Sequence, residues 1–282
     1  FSHVTTRRTY VPQVSERAVN EGATVTATRT EQVTEDICLI EDWSEVDEIL
    51  VDAAENKKEF RFNEDIGHMD GLRKRYAQRL IYGDQSPVPK QVRGFKVRRN
   101  SLSDDNVYDN AGGNASATAN KTSIYLVQWG LNKCHCVYPK GDTQLGIHME
   151  DKGKQTLIEG DSNEKRRDVY RTKFKLRFGF VERDARCLKR LCNISTSNID
   201  NVDDFDVDED VIIEMLTDLE YNGEGAVMYA NKHVFTRIAI KAKDKQNVRW
   251  DSNNPFGIPI LKFWEVPIRR VDQIVNTEAQ VS

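Results

Sequence analysis

From Val11 to Thr34 the chain reads VPQVSERAVNEGATVTATRTEQVT, β-branched and alternating, with almost no large apolar side chain. Thr24, Thr26, Thr28 and Thr30 fall on one side and Val25, Ala27 and Arg29 on the other. Neither side can bury enough surface to offset ordering entropy of about 1–2 kcal/mol per residue. A two-stranded ribbon, turning near Asn20-Glu21-Gly22, is predicted here, and such a ribbon is marginal alone in water. It is expected to lie on a neighbouring copy. Residues 1–10 (FSHVTTRRTY) are polar and unpatterned, as in a terminal arm.

Apolar weight returns in ICLIEDWSEVDEIL, where Ser44 is the expected N-cap of a short helix. The strongest helical stripe comes next. Asn63 caps it, Ile66, Met69, Tyr76, Leu80 and Ile81 recur at helical spacing, and Gly83-Asp84 ends it, giving a rod over 63–82. Glu64 and Asp65 suit its positive end; Arg73, Lys74, Arg75 and Arg79 suit its negative end. Residues 100–121 are Asn-, Ser- and Gly-rich and predict a loop. Between 122 and 194 the period becomes two, most clearly where Phe174, Leu176, Phe178 and Phe180 alternate with Lys173, Lys175 and Arg177. That is an antiparallel sheet with one wet face. Beyond it, helices are expected at Val211–Leu219 and Lys232–Lys243, and apolar strands at Ile258–Phe263 and Gln273–Val275. These suffice for a small separate α+β unit after a linker at Ser195–Asn201, entered once and not left.

With 282 residues, 38% hydrophobic and 30% charged, the chain can hold one large or two modest domains. No apolar run reaches the roughly 18–20 residues of a membrane span, so no membrane partner is expected. A net charge of −4 argues against a dedicated nucleic-acid binder. Five scattered cysteines fit a reducing compartment better than a disulfide framework.

Candidate chemistry is thin. Cys134-His135-Cys136 with Cys187 and Cys192 offers thiols, but not the two tight knuckles of structural zinc, so small apolar cysteines are the preferred reading and no metal or cofactor is assigned. DFDVDED at 204–210 lacks the Gly and Glu of a calcium loop, and its acids suit a helix start instead. Phosphate-binding glycine loops are absent. Glu182, Arg183, Asp184 and Arg186 are taken as a turn-and-edge salt-bridge group rather than a catalytic cluster. No catalytic residue is assigned, and a non-enzyme is expected.

Several segments carry a family resemblance. VPQVSERAVNEG, SEVDEIL and FRFNEDIGHMDGLRKRYAQRLIYGD resemble the ribbon and long helix of podophage major capsid proteins. AGGN, SIYLVQWG, VYPKGDTQLGIHMEDKG, YRTKFKLRFGFVERDARCLKRLCNI, VMYANKHVF and GIPILKFWEVPIRRVDQIVNTEAQV follow in consistent order over nearly the whole chain. The resemblance implies an α+β HK97-like capsid fold: an N-terminal arm over 1–9, an extended β-hairpin loop over 10–42, a peripheral domain over 43–195 holding the spine helix and antiparallel sheet, and an axial domain over 196–282. With the sheet first and the α+β unit last, permuted connectivity is expected.

It also implies self-assembly into hexamers and pentamers of an icosahedral shell around double-stranded DNA bound without sequence preference. Decoration, scaffolding and portal proteins are further partners. The location is the virion, assembled in the host cytoplasm. The extended loop's contacts are expected from Val11, Val14, Val19, Arg17 and Arg29, and DNA-facing charge from Arg73, Lys74, Arg75 and Arg79. The competing reading is a nucleic-acid-binding or scaffold module using the basic helix and the KFKLRFGF strand.

Overall fold

A computed structural model describes residues 2–10, 13–111, 120–141, 146–159, 165–196, 205–220, 223–244, 248–250 and 261–282. The chain begins with a hairpin. Strand β1 (Ser2–Tyr10) pairs antiparallel with β2 (Arg29–Asp36), in register from Ser2↔Asp36 to Arg8↔Thr30. The ribbon expected across Val11–Thr34 is therefore displaced, overlapping the observed ladder only in Arg29–Thr34. Its ladder recruits the supposedly unpatterned first ten residues, while Gln13–Thr28 project with no strand pairing and every residue exposed. The turn falls at Asn20, in the left-handed region at φ 68°.

Strand β3 (Cys38–Asp47) leads into helix α1 (Glu48–Ala53). Its cap is Asp47, which accepts from the Ile49 N–H, rather than Ser44, which lies buried within β3. Helix α2 (Lys57–Tyr82) starts six residues before the expected Asn63, because Asn56 accepts from the Glu59 N–H and so satisfies the first turn. The short helix α3 (Phe95–Arg98) follows. The turn between α2 and α3 is tight: a Cβ on Gly83 would meet the Val92 carbonyl oxygen at 2.3 Å, and one on Gly94 the Ile81 carbonyl at 2.6 Å.

The remaining strands are β4 (Val107–Asp109), β5 (Lys121–Gln128), β6 (Cys134–Val137), β7 (His148–Glu159), β8 (Lys165–Glu182), β9 (Leu188–Thr196) and β10 (Phe205–Asp206). Helix α4 (Glu209–Thr217), β11 (Ala226–Ala230), helix α5 (Lys232–Asp244), β12 (Val248–Trp250), β13 (Leu261–Phe263) and β14 (Val266–Arg270) complete the chain.

Two sheets result. In the first, the long β8 is flanked by β3 on one side and by β6 and β7 on the other. Its period-two face carries Phe174, Leu176 and Phe178 inward against Leu72 of α2, with Tyr76 edge-on to Phe178 at 4.5 Å. The wet face holds Arg171 and Lys173 beside Trp43, paired to Glu45 and Glu41.

The second sheet runs β10-β9-β5-β11-β14-β13-β12, with β4 added beside β9. Its core joins Tyr108, Ile124, Leu126, Leu191 and Ile194 to Ile212, Met215, Met228, Val234 and Phe263. Here the expectation of a self-contained unit after residue 196 fails. β11 pairs antiparallel with β5, so segments 121–128 and 188–196 share one sheet and one core with segments 226–230, 261–263 and 266–270. The expected strand at Gln273–Val275 is a turn, and 251–260 lie outside the described residues.

The chain also returns. Glu278 bridges Lys121 through two backbone hydrogen bonds, and Val281 bonds Asn193. The expected single crossing with no return is thus overturned. The C-terminal segment packs Ile274 into the cluster of Tyr125 and Leu188, and Val281 beside Val107 and Cys192. A third cluster, with Ile81, Phe95, Tyr125, Phe180, Leu188 and Ile274, welds the end of α2 to both sheets.

Candidate intersubunit interface

The projecting segment is polar and unsupported by its own chain. Val14 is 85% exposed and Val19 92%, while Val11 lies outside the described residues. Arg17 donates to the Glu21 carbonyl at 3.0 Å, and the Ala18 N–H donates to the Glu21 carboxylate, so the tip has a local turn of its own. Arg29 sits where β2 begins, opposite Tyr10.

Behind the tip, the hairpin lies with one face on the body. Thr5, Arg7, Val33 and Glu35 point inward, as alternation requires, and Glu35 is 2% exposed. Arg98 donates to both Glu35 oxygens, at 2.8 and 2.6 Å, and to the Phe180 carbonyl. Arg7 reaches Glu35 and Glu182, each at 3.5 Å. Glu182, itself buried, takes a hydrogen bond from Arg99, which also donates to Leu188 and Ala185 carbonyls. The Arg8 N–H donates to the Arg183 carbonyl at 2.8 Å. The cluster therefore ties both strands of the hairpin to the end of β8 and to α3.

Sequence reasoning missed Glu35, Arg7, Arg98 and Arg99. Only the paired arginines in KVRRN and the acid in FVERDAR hinted at them. The 182–186 group is ionic as expected, but it is not at an edge: Glu182 and Asp184 are buried, and Arg186 clamps Asp184 while reaching Glu220 at 2.6 Å.

Beside α2 the structure opens an apolar groove of about 290 Å³ lined by Tyr76, Val137, Tyr138, Ile147, Leu176 and Phe178. Arg73 also lines it. The rest of the basic quartet is partly engaged. Lys74 pairs with Asp70 at 2.6 Å, Arg75 donates to Gln78, and half-buried Arg79 turns to Gln91 at 2.7 Å. Burial lowers the Arg79 pKa.

Thiol chemistry stays structural. All five cysteines are free; Cys134 and Cys187 pack in the junction core, and Cys136 on the same strand as Cys134 is exposed. Burial pushes Cys187 and Cys192 up to about 12. Asp208 caps α4, which accounts for the acids there as a helix start. Among the described residues no group of three or more His, Cys, Asp or Glu could hold a metal.

Residues 1–282 match the model of a family described as major capsid protein GP7. A chain of bacteriophage Epsilon15, known from near-atomic cryo-EM, is 29% identical with a TM-score of 0.66, covering 99% of this chain and 84% of that one. A chain of the bacteriophage JBD30 capsid is 12% identical with a TM-score of 0.41, covering 96% and 86%. No curated protein matches the sequence.

Proposed function

The chain belongs to the family of major capsid protein GP7 and is a shell-forming phage capsid protein with the HK97-like fold, and from that premise we propose that each copy reaches across a neighbour with Gln13–Thr28. The observation that carries this is the run of exposed residues at 13–28, held out on a hairpin whose base is buried. Val14 and Val19 would seat in the neighbour's apolar groove beside α2, removing from water surface that neither copy covers alone. Several such weak contacts per subunit become strong together, because after the first the rest are effectively intramolecular. Closed symmetry then yields hexamers and pentamers.

In this reading α2 and the β3/β8 sheet form the peripheral part, and the eight-stranded sheet with α4 and α5 the axial part. Arg73, Lys74 and Arg75 face packaged double-stranded DNA, and the role is structural rather than catalytic. Assembly takes place in the host cytoplasm, with decoration, scaffolding and portal proteins as further partners.

The test is replacement of residues 14–27 by a short Gly-Ser turn, keeping Arg29–Asp36 because Val33 and Glu35 face the body. The variant is expected to stay folded by circular dichroism and to form no shells by electron microscopy. Shells of normal diameter, or loss of the fold, would each defeat the proposal.

A further inference from the structure

A ribbon with two polar, Thr-rich faces specifies its own register weakly, since a one-residue slip exchanges one polar face for another. Here it is β2, TEQVTED from Thr30 to Asp36, that must be held. Among the described residues of β1 and β2 only Thr5 and Glu35 are buried, and Glu35 meets two charges rather than an apolar pocket. Burying such a cluster is a poor way to gain stability, because well-packed apolar residues of similar volume do as well or better. What a buried charge cluster does supply is uniqueness: a slip of β2 by one residue would aim Thr34 or Asp36 at Arg98 and leave Glu35 facing solvent.

We propose that Glu35 and Arg98, supported by Arg7, Glu182 and Arg99, are positioning residues that fix the register and angle of the projecting segment, and thereby the uniformity of the assembled shell. This rests on the reading that Gln13–Thr28 contacts a neighbour. The lever is geometric. Gln13 to Asn20 can reach at most about 28 Å. A tilt of about 10° at the base then moves the tip by about 5 Å, the spacing between adjacent strands. An error of that size takes Val19 out of register with any receiving surface. The cluster sits where it controls this motion: Arg7 is on β1, Glu35 on β2, Glu182 ends β8, and Arg98 and Arg99 close α3.

Full-length Glu35→Gln and Arg7→Gln variants test this beside a control, Met215→Ala, a residue of α4 buried in the core of the second sheet. The milder Arg7→Gln, at a side chain still 16% exposed, guards against simple failure to fold. Hydrogen exchange of the Arg8 N–H and of β2 is expected to speed up by about tenfold or more in the two lock variants and not in the control. Particles imaged by electron microscopy are expected to spread in diameter or form open sheets only in the lock variants. Uniform shells of normal diameter from both lock variants despite faster exchange, unchanged exchange in both, or equal heterogeneity in the control would overturn the proposal. If the 14–27 replacement still assembles, the underlying contact reading fails instead, and the exchange result shows separately whether the cluster holds the hairpin.

Discussion

Glu278 shows how much one side chain near the end of a chain can organise. Its carboxylate takes hydrogen bonds from Arg190 at 2.8 Å, from Ser123 and Tyr82 at 2.5 Å each, and from Tyr125 at 3.3 Å. Arg190 is wholly buried and also donates to the Arg99 carbonyl. The Tyr82 and Tyr125 phenols are both pushed well up, first by burial, then Tyr82 by Tyr125 and the carboxylate, and Tyr125 by the carboxylate. Removing the carboxylate strands the guanidinium in the interior, so Glu278→Ala is expected to cost about 3–5 kcal/mol in urea unfolding. Arg190→Met with Glu278→Leu should cost less than the single change, because no unpaired charge is left behind. A double variant as unstable as the sum of its parts would show that packing around the pair matters more than its charge.

Among the elements, α2 and the turn after it divide their glycines into two kinds. Gly67 and Gly71 sit on the exposed side of α2 with nothing within 4 Å of an added Cβ. Gly67→Ala is expected to stabilise by about 0.4–1 kcal/mol, through lower entropy of the unfolded chain. At Gly94 the same methyl would strike backbone, the Ile81 carbonyl at 2.6 Å and the Gly83 nitrogen at 2.7 Å. Backbone cannot rotate aside, so Gly94→Ala should lose about 1–3 kcal/mol or more. Thermal melts of the two variants, compared with the parent, check the opposite signs. Because Gly83 and Gly94 bring α3 against the end of α2, the second loss would loosen the seat of Arg98 as well.

For the whole molecule, the placement of charge bears on DNA. Lys74 and Arg75 have partners on α2 itself, and Arg79 is turned into the fold. Asp70 neutralises Lys74, whereas the Arg75 partner Gln78 is uncharged, so Arg73 and Arg75 are the better candidates for phosphate contact. Replacing both with Gln is expected to leave empty shells intact and to lower the DNA retained per particle, with the difference from the parent shrinking at higher salt, since fewer phosphate contacts give a shallower salt dependence. Unchanged DNA content would return both side chains to the protein surface or to contacts between subunits.

The sequence alone determined the local elements. Amphipathic helices, period-two strands with one wet face, and a polar segment too poor in apolar residues to fold on itself follow from spacing and composition. Helices α4 and α5 fell within about two residues of expectation and β8 within the expected period-two stretch, while α2 ended as expected but began six residues early on a different cap. The exposure of Gln13–Thr28 was legible for the same reason, whereas the pairing of the first ten residues as β1 was not. Which strands share a sheet was decided only by tertiary structure: nothing local in VMYA or in SIYLVQ says that β11 will lie antiparallel to β5, or that Glu278 will come back to Lys121. The same holds for the charged cluster at the base of the hairpin. Glu35 and Arg98 are 63 positions apart in sequence, and each alone reads as a solvated surface charge. They are buried together because the fold closes over both, and only three-dimensional closure can turn two ordinary charges into a fixed pair.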